Sequence, residues 1–156
     1  MNIDAGAGQV TPPPSGTLTA DDLLTQWSGC MSLANFTTAK MNTAWGDLAA
    51  GDGQACSSCH TTGLYGFYVD RDANTMFTAI STTKAFLAVY FSADVANQKI
   101  ATDDALFASV GSGTFSGGHP AFATTNNAGL LALKSFYDLT VARQQANTCD
   151  PPRITQ

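Results

Sequence analysis

Apolar residues recur at helical spacing along much of the chain. Leu23, Leu24, Trp27, Cys30 and Met31 follow a three-and-four rhythm that predicts a first helix. Thr19-Ala20-Asp21-Asp22 ahead of it reads as a capping box, with a carboxylate three residues past the cap. A break near Ser32 precedes a second stretch carrying Phe36, Ala39, Ala44, Trp45 and Leu48, which Gly46 and then Gly51-Asp52-Gly53 end. Asp72 or Asn74 can cap a short helix holding Met76, Phe77 and Ile80. Ser81 or Thr82 can cap another, with Phe86, Leu87, Tyr90 and Phe91. Ala85–Phe91 is crowded with aromatic and β-branched side chains, so a strand competes there. No partner strand is evident, and helix is preferred. Residues 92–118 read as a looser, glycine-ending segment. A last helix is predicted from Asn126 or Asn127, with Leu130, Leu133, Phe136, Tyr137, Thr140 and Val141 on one face. It should stop by Asn147, before Pro151-Pro152. The pattern predicts an all-α fold.

Residues 1–16 lack this periodicity. They are rich in Gly, Ala and Pro, and Pro12-Pro13-Pro14 favours an extended segment, so a disordered leader or linker is expected. Residues 17–150 would form one domain, and 151–156 a short tail. A chain of 156 residues is long enough for a single core. Only 12% of residues are charged, so Ser, Thr, Asn, Gln and Gly must carry much of the surface. The net charge is −5 and the few Lys and Arg are scattered, which argues against nucleic acid as a partner. No apolar run is long enough for a membrane span. Met1-Asn2-Ile3-Asp4 has no basic n-region and no apolar run after it.

The most informative stretch is Cys56-Ser57-Ser58-Cys59-His60. It is a C-x-x-C-H run, the attachment signal for haem c. Two thiols one turn apart can add across the vinyl groups of one porphyrin edge, and the following histidine can ligate the iron. A structural zinc usually takes four ligands in recurring pairs, and no second pair exists. Cys56, Cys59, His60 and His119 are the residues such a site would have to use. A thioredoxin-like dithiol would follow a strand, whereas Gly51–Ala55 reads as loop. One iron-containing haem c is therefore the expected cofactor. His60 and His119 are the only histidines, and His119 lies in Gly117-Gly118-His119-Pro120. Among the methionines, Met76 is the alternative sixth ligand, although its spacing fits core packing better.

The order of these features resembles the class I c-type cytochromes. That family has an N-terminal helix, the haem motif, short middle helices, a Met-Pro loop and a C-terminal helix. The resemblance covers roughly residues 19–146, with His119-Pro120 where Met-Pro would stand. It implies a cytochrome c-like helical domain wrapped around a single haem, with His60 and His119 as axial ligands. Saturated iron leaves no position for substrate, so electron transfer is implied and no catalytic residue is assigned. Bis-histidine ligation implies a lower potential than His/Met ligation at similar burial. The alternative is a gas sensor or peroxidase-like haem protein with a displaceable distal ligand.

The resemblance also packs the first helix on the last, which implies a Cys30–Cys149 disulfide. Two free buried thiols or an intermolecular bond are the alternatives. Haem attachment to this motif takes place outside the bacterial cytoplasm, so a periplasmic or extracellular location is implied, with an export signal removed. Unidentified redox proteins are the expected partners, and a tether or larger assembly is compatible with the leader.

Overall fold

The computed structural model describes residues 16–115 and 118–155, so nearly all of the expected leader lies outside the described residues. The architecture is mixed, and this corrects the all-α, cytochrome c-like fold expected above. Among the described residues eight α-helices and one short 3-10 turn, Leu64–Gly66, accompany a two-stranded antiparallel hairpin. The hairpin pairs β1 (Phe91–Asp94) with β2 (Lys99–Thr102), Phe91 opposite Thr102 and Asp94 opposite Lys99. It falls in the segment that reads as loose. Its loop lacks the Asn-Gly or Asp-Gly pair that usually announces a hairpin. The turn is held instead by Asp94, whose Oδ1 accepts from the Asn97 N–H at 3.1 Å. Gln98 closes it in the left-handed region at φ 52°.

Helix α1 (Ala20–Cys30) begins at the Thr19 capping box. The Asp22 N–H donates to Thr19 Oγ1 at 3.2 Å, and the Thr19 N–H donates to Asp22 Oδ2 at 2.9 Å. The stretch read as one second helix is two, α2 (Leu33–Thr38) and α3 (Met41–Gly46). Lys40 divides them at φ 60°, a conformation that no helix continues through. The Cys56–His60 stretch carries a single turn, α4 (Ser57–His60). Helix α5 (Ala73–Thr82) starts at Asp72, whose carboxylate accepts from the Thr75 N–H at 2.7 Å. Helix α6 (Lys84–Tyr90) runs directly into β1. Helix α7 (Asp104–Gly111) was not legible in the sequence. Helix α8 (Ala128–Gln145) is capped by Asn127, which accepts from the Leu130 N–H at 3.0 Å.

One core unites these elements. Trp27, Phe36, Trp45, Met76, Leu87, Tyr90 and Phe136 are all buried in it. Burial of such side chains contributes about 1.5–3 kcal/mol each and offsets the entropy of ordering short helices. The C-terminal tail joins the core through Ile154, which is 5% exposed. The N–H groups of Arg153 and Ile154 both donate to Ser28 Oγ, at 2.9 and 3.2 Å. Among the described residues no helix is long and apolar enough to cross a membrane.

Helices α3 and α8 meet where Gly129 lies on the Trp45 indole. A Cβ at Gly129 would approach that ring to 2.7 Å. Trp45 cannot withdraw, because Phe67, Tyr90 and Phe107 wall it in at ring-centre distances of 5.4, 5.8 and 5.2 Å. Overpacking of this kind costs about 1–3 kcal/mol, against a gain of about 1 kcal/mol in helix propensity. Gly129→Ala is therefore expected to destabilise the fold by a net of about 1 kcal/mol. A lower urea midpoint at unchanged slope would report that loss, and an unchanged or higher midpoint would contradict the tight contact.

Candidate haem-attachment site

Cys56 opens the turn of α4 as its N-cap, and Cys59 and His60 close it. The loop before the motif is anchored by the Cys56 N–H, which donates to the Leu48 carbonyl at 3.0 Å. Both motif cysteines are free thiols, Cys56 half-buried and Cys59 exposed. Burial raises the Cys56 thiol above its ordinary range, with a smaller push from neighbouring Cys59. It is thus held as a protonated thiol at neutral pH, unlike the depressed thiols of nucleophilic cysteines.

His60 is buried, at 8% exposure. Its ring packs edge-on against Phe67 at 4.8 Å. Phe67 in turn contacts Trp45, Tyr90 and Phe107, so one face of the site is an aromatic wall. The Nδ1 of His60 lies 3.1 Å from the Leu64 carbonyl oxygen. A carbonyl only accepts, so Nδ1 donates and Nε2 keeps its lone pair. Burial, the leading cause, holds the His60 imidazole below its usual range, and His119 adds to this against the raising pull of the Leu64 and Phe67 backbone. His60 is neutral at pH 7, the form that ligates metals.

His119 is brought to the same place by backbone pairing on its C-terminal side. The Gly51 N–H donates to the Ala121 carbonyl at 2.8 Å, and the Phe122 N–H donates to the Gly111 carbonyl at 3.1 Å. The His119 ring centre lies 6.2 Å from that of His60, with the planes 33° apart. Its Nδ1 is 2.8 Å from the Pro120 carbonyl oxygen, so here too Nε2 is the nitrogen left unengaged among the described residues. Met76 is fully buried in the α5 face of the core.

These residues fit a haem by three observations. The His60 and His119 ring centres, 6.2 Å apart, are close enough for both imidazoles to bind one metal ion at about 2 Å each. Both rings are held in the tautomer that presents Nε2, by the carbonyl partners typical of metal-bound histidine. Two unpaired thiols share the turn that ends in His60. The Trp45 Nε1–H, buried in the adjoining aromatic wall, has no hydrogen-bond partner among the described residues. A zinc site fits poorly. Among the described residues no three His, Cys, Asp or Glu side chains converge on a common position. The surface groove along α3 and α8, lined by Lys40, Ala44, Leu48 and Ala128, lies apart from this chemistry.

The sequence does not single out the Leu64 carbonyl, nor which of the aromatic residues wall the site. The glycines around Leu64-Tyr65 were the available signal for the first, and Phe67 beside the motif for the second. Comparisons with protein-family models, curated protein sequences and solved structures find no match to this chain.

Cys30 and Cys149 form a disulfide with a Cα–Cα distance of 4.2 Å. It joins the end of α1 to the segment after α8. Arg143 reinforces the junction, donating from Nη1 to the Cys30 and Met31 carbonyls at 2.9 and 3.0 Å. Its Nη2 donates to the Thr148 carbonyl at 2.6 Å and to Asp150 Oδ2 at 3.2 Å. A cation at the C-terminus of α1 also complements the negative end of the helix dipole.

Proposed function

We propose that this chain is a one-electron carrier with a single haem c. Cys56 and Cys59 would hold the porphyrin by thioether bonds, and His60 and His119 would bind the iron. The observation that carries this reading is the 6.2 Å spacing of two rings that each present Nε2, one of them closing the C-x-x-C-H turn. The haem supplies the redox couple. The protein would supply the imidazole nitrogens of His60 and His119, an apolar wall of Phe67, Trp45, Tyr90 and Phe107, and exclusion of water from His60. The hydrogen bonds from Nδ1 to carbonyls increase imidazole basicity and favour the ferric state. With bis-histidine ligation they place the potential below that of a His/Met site of equal burial. A periplasmic or extracellular location belongs to the same proposal, because covalent attachment and the Cys30–Cys149 disulfide both suit an oxidising compartment. The partners would be other redox proteins.

The test is to produce the chain in a host that exports and matures c-type cytochromes, then record the low-temperature EPR spectrum of the ferric protein. Haem that resists acid–acetone extraction and gives a low-spin bis-imidazole signal is expected. Extractable haem, or none, would overturn the assignment. Covalent haem with a high-spin signal would move the function to a sensor or peroxidase-like protein.

A further inference from the structure

The two histidines of the site are anchored very differently. His60 is held through both its backbone and its ring. Its N–H donates to the Cys56 carbonyl at 3.1 Å, and its carbonyl accepts from the Gly63 and Val69 N–H groups at 3.2 and 3.1 Å. Its ring packs against Phe67, and its Nδ1 donates to the Leu64 carbonyl. His119 lies on the segment between α7 and α8, where no helix or strand occurs among the described residues. Those residues are exposed apart from the half-buried His119, Pro120 and Phe122 and the buried cap Asn127. Among them one backbone hydrogen bond reaches a distant part of the chain, from the Gly51 N–H to the Ala121 carbonyl. The Nδ1 partner of His119 is the carbonyl of the next residue, Pro120, so ring and partner move together. A Cβ at neighbouring Gly118 would meet nothing within 4 Å. Local opening costs least where few apolar contacts are buried and few backbone hydrogen bonds are protected, and long unstructured connections are usually functional.

The class of ligand follows from the lining. No Asp, Glu, Lys or Arg lies in residues 53–69 or 105–133, the two segments that carry His60 and His119. The Phe67 ring borders His60, and the Phe122 ring lies 6.0 Å from that of His119. A charged ligand would find no counter-charge on either segment, and its desolvation would go uncompensated. We propose that the His119 segment opens locally while His60 stays in place, so that the position of His119 is a binding site for a small neutral diatomic molecule. The inference rests on the haem reading above and adds regulation to it. His119 leaves as a neutral imidazole: its nitrogen–iron bond breaks, one bond from the diatomic forms in its place, and no electron or proton is transferred. A ligand that prefers ferrous iron would then hold the electron on the carrier, by its difference in affinity for the two oxidation states.

The experiment uses the reduced, haem-loaded protein, with carbon monoxide as the probe and the Soret band as the signal. His119→Ala is expected to bind carbon monoxide about 10- to 1,000-fold more tightly than wild type, the factor set by an open state populated at about 0.1–10%. The wild-type binding rate should level off at high carbon monoxide, at the rate of opening. In the NMR spectrum of the wild-type complex, the His119 ring protons should return to ordinary positions while those of His60 keep the large shifts of a ring beneath the porphyrin. Without carbon monoxide, amide hydrogen exchange should be faster at His119 than at His60. Equal affinity in the two proteins would overturn the proposal, as would a wild type that binds none, a complex in which His60 is the ring released, or slower exchange at His119. A chain that carries no covalent haem would instead overturn the electron-carrier reading, and this inference with it.

Discussion

In the haem-bearing protein proposed above, His119→Ala is expected to abolish the low-spin ferric signal and replace it with a high-spin one, while the haem stays covalently bound. The reason is geometric. His119 is the second imidazole at the site, its ring centre 6.2 Å from that of His60. Its removal leaves no second histidine in the chain. Attachment should survive, because Cys56, Cys59 and His60 belong to one turn that does not depend on the His119 loop. Added imidazole should restore the low-spin signal by entering the vacated position. Met76→Ala separates this assignment from its rival. Met76 is fully buried, so its truncation should cost about 2–5 kcal/mol of stability and leave the low-spin signal intact. A spectrum unmoved by His119→Ala but converted by Met76→Ala would reverse the ligand assignment.

Local chemistry explains which parts of this molecule were legible beforehand. The starts of α1, α5 and α8 were readable because Thr19, Asp72 and Asn127 are side-chain caps, and capping is a short-range event. The break at Lys40 was not, because a lysine in the left-handed region has no sequence signature. The hairpin was hidden for a related reason. Its four-residue strands expose little pattern, and only Phe91 and Ile100 are buried in them. The same contrast holds at the site. The thiol pair and His60 are one pentapeptide and can be read directly. The approach of His119 depends on Gly51, Gly111 and the strand-like pairing around Ala121 and Phe122, which is tertiary structure. The Leu64 carbonyl reaches His60 only through a turn with positive φ at Gly63, Tyr65 and Gly66. The haem motif and element order suggested a cytochrome c-like all-α fold, but order does not specify packing. The segment between α6 and α7 paired with itself.

The disulfide gives the largest expected change in stability. Cys30 and Cys149 are 119 residues apart, so the bond closes nearly the whole described chain. In the chain-entropy model a loop of this size restricts the unfolded ensemble by about 4–5 kcal/mol. The Cys30→Ser, Cys149→Ser double variant is expected to lose that amount, measured by urea unfolding at 25 °C. The folded state should change little. Arg143 still donates to the Cys30 and Met31 carbonyls, the Asp150 N–H still donates to the Gly29 carbonyl at 2.9 Å, and Ser28 still holds the tail. The loss therefore falls on the unfolded side of the equilibrium. A domain of this size is typically stable by about 5–15 kcal/mol, so the variant stands close to its folding threshold. Arg143→Ala with the disulfide intact tests the division of labour. It truncates a partly exposed side chain whose carbonyl partners water can reach, at a total cost of about 1–3 kcal/mol, and leaves the loop closed. If the double serine variant lost less than Arg143→Ala, the junction would be held by hydrogen bonds and the covalent link would be secondary. The order expected here is the reverse, because a cross-link acts on every conformation of the unfolded chain and Arg143 acts only on the folded one.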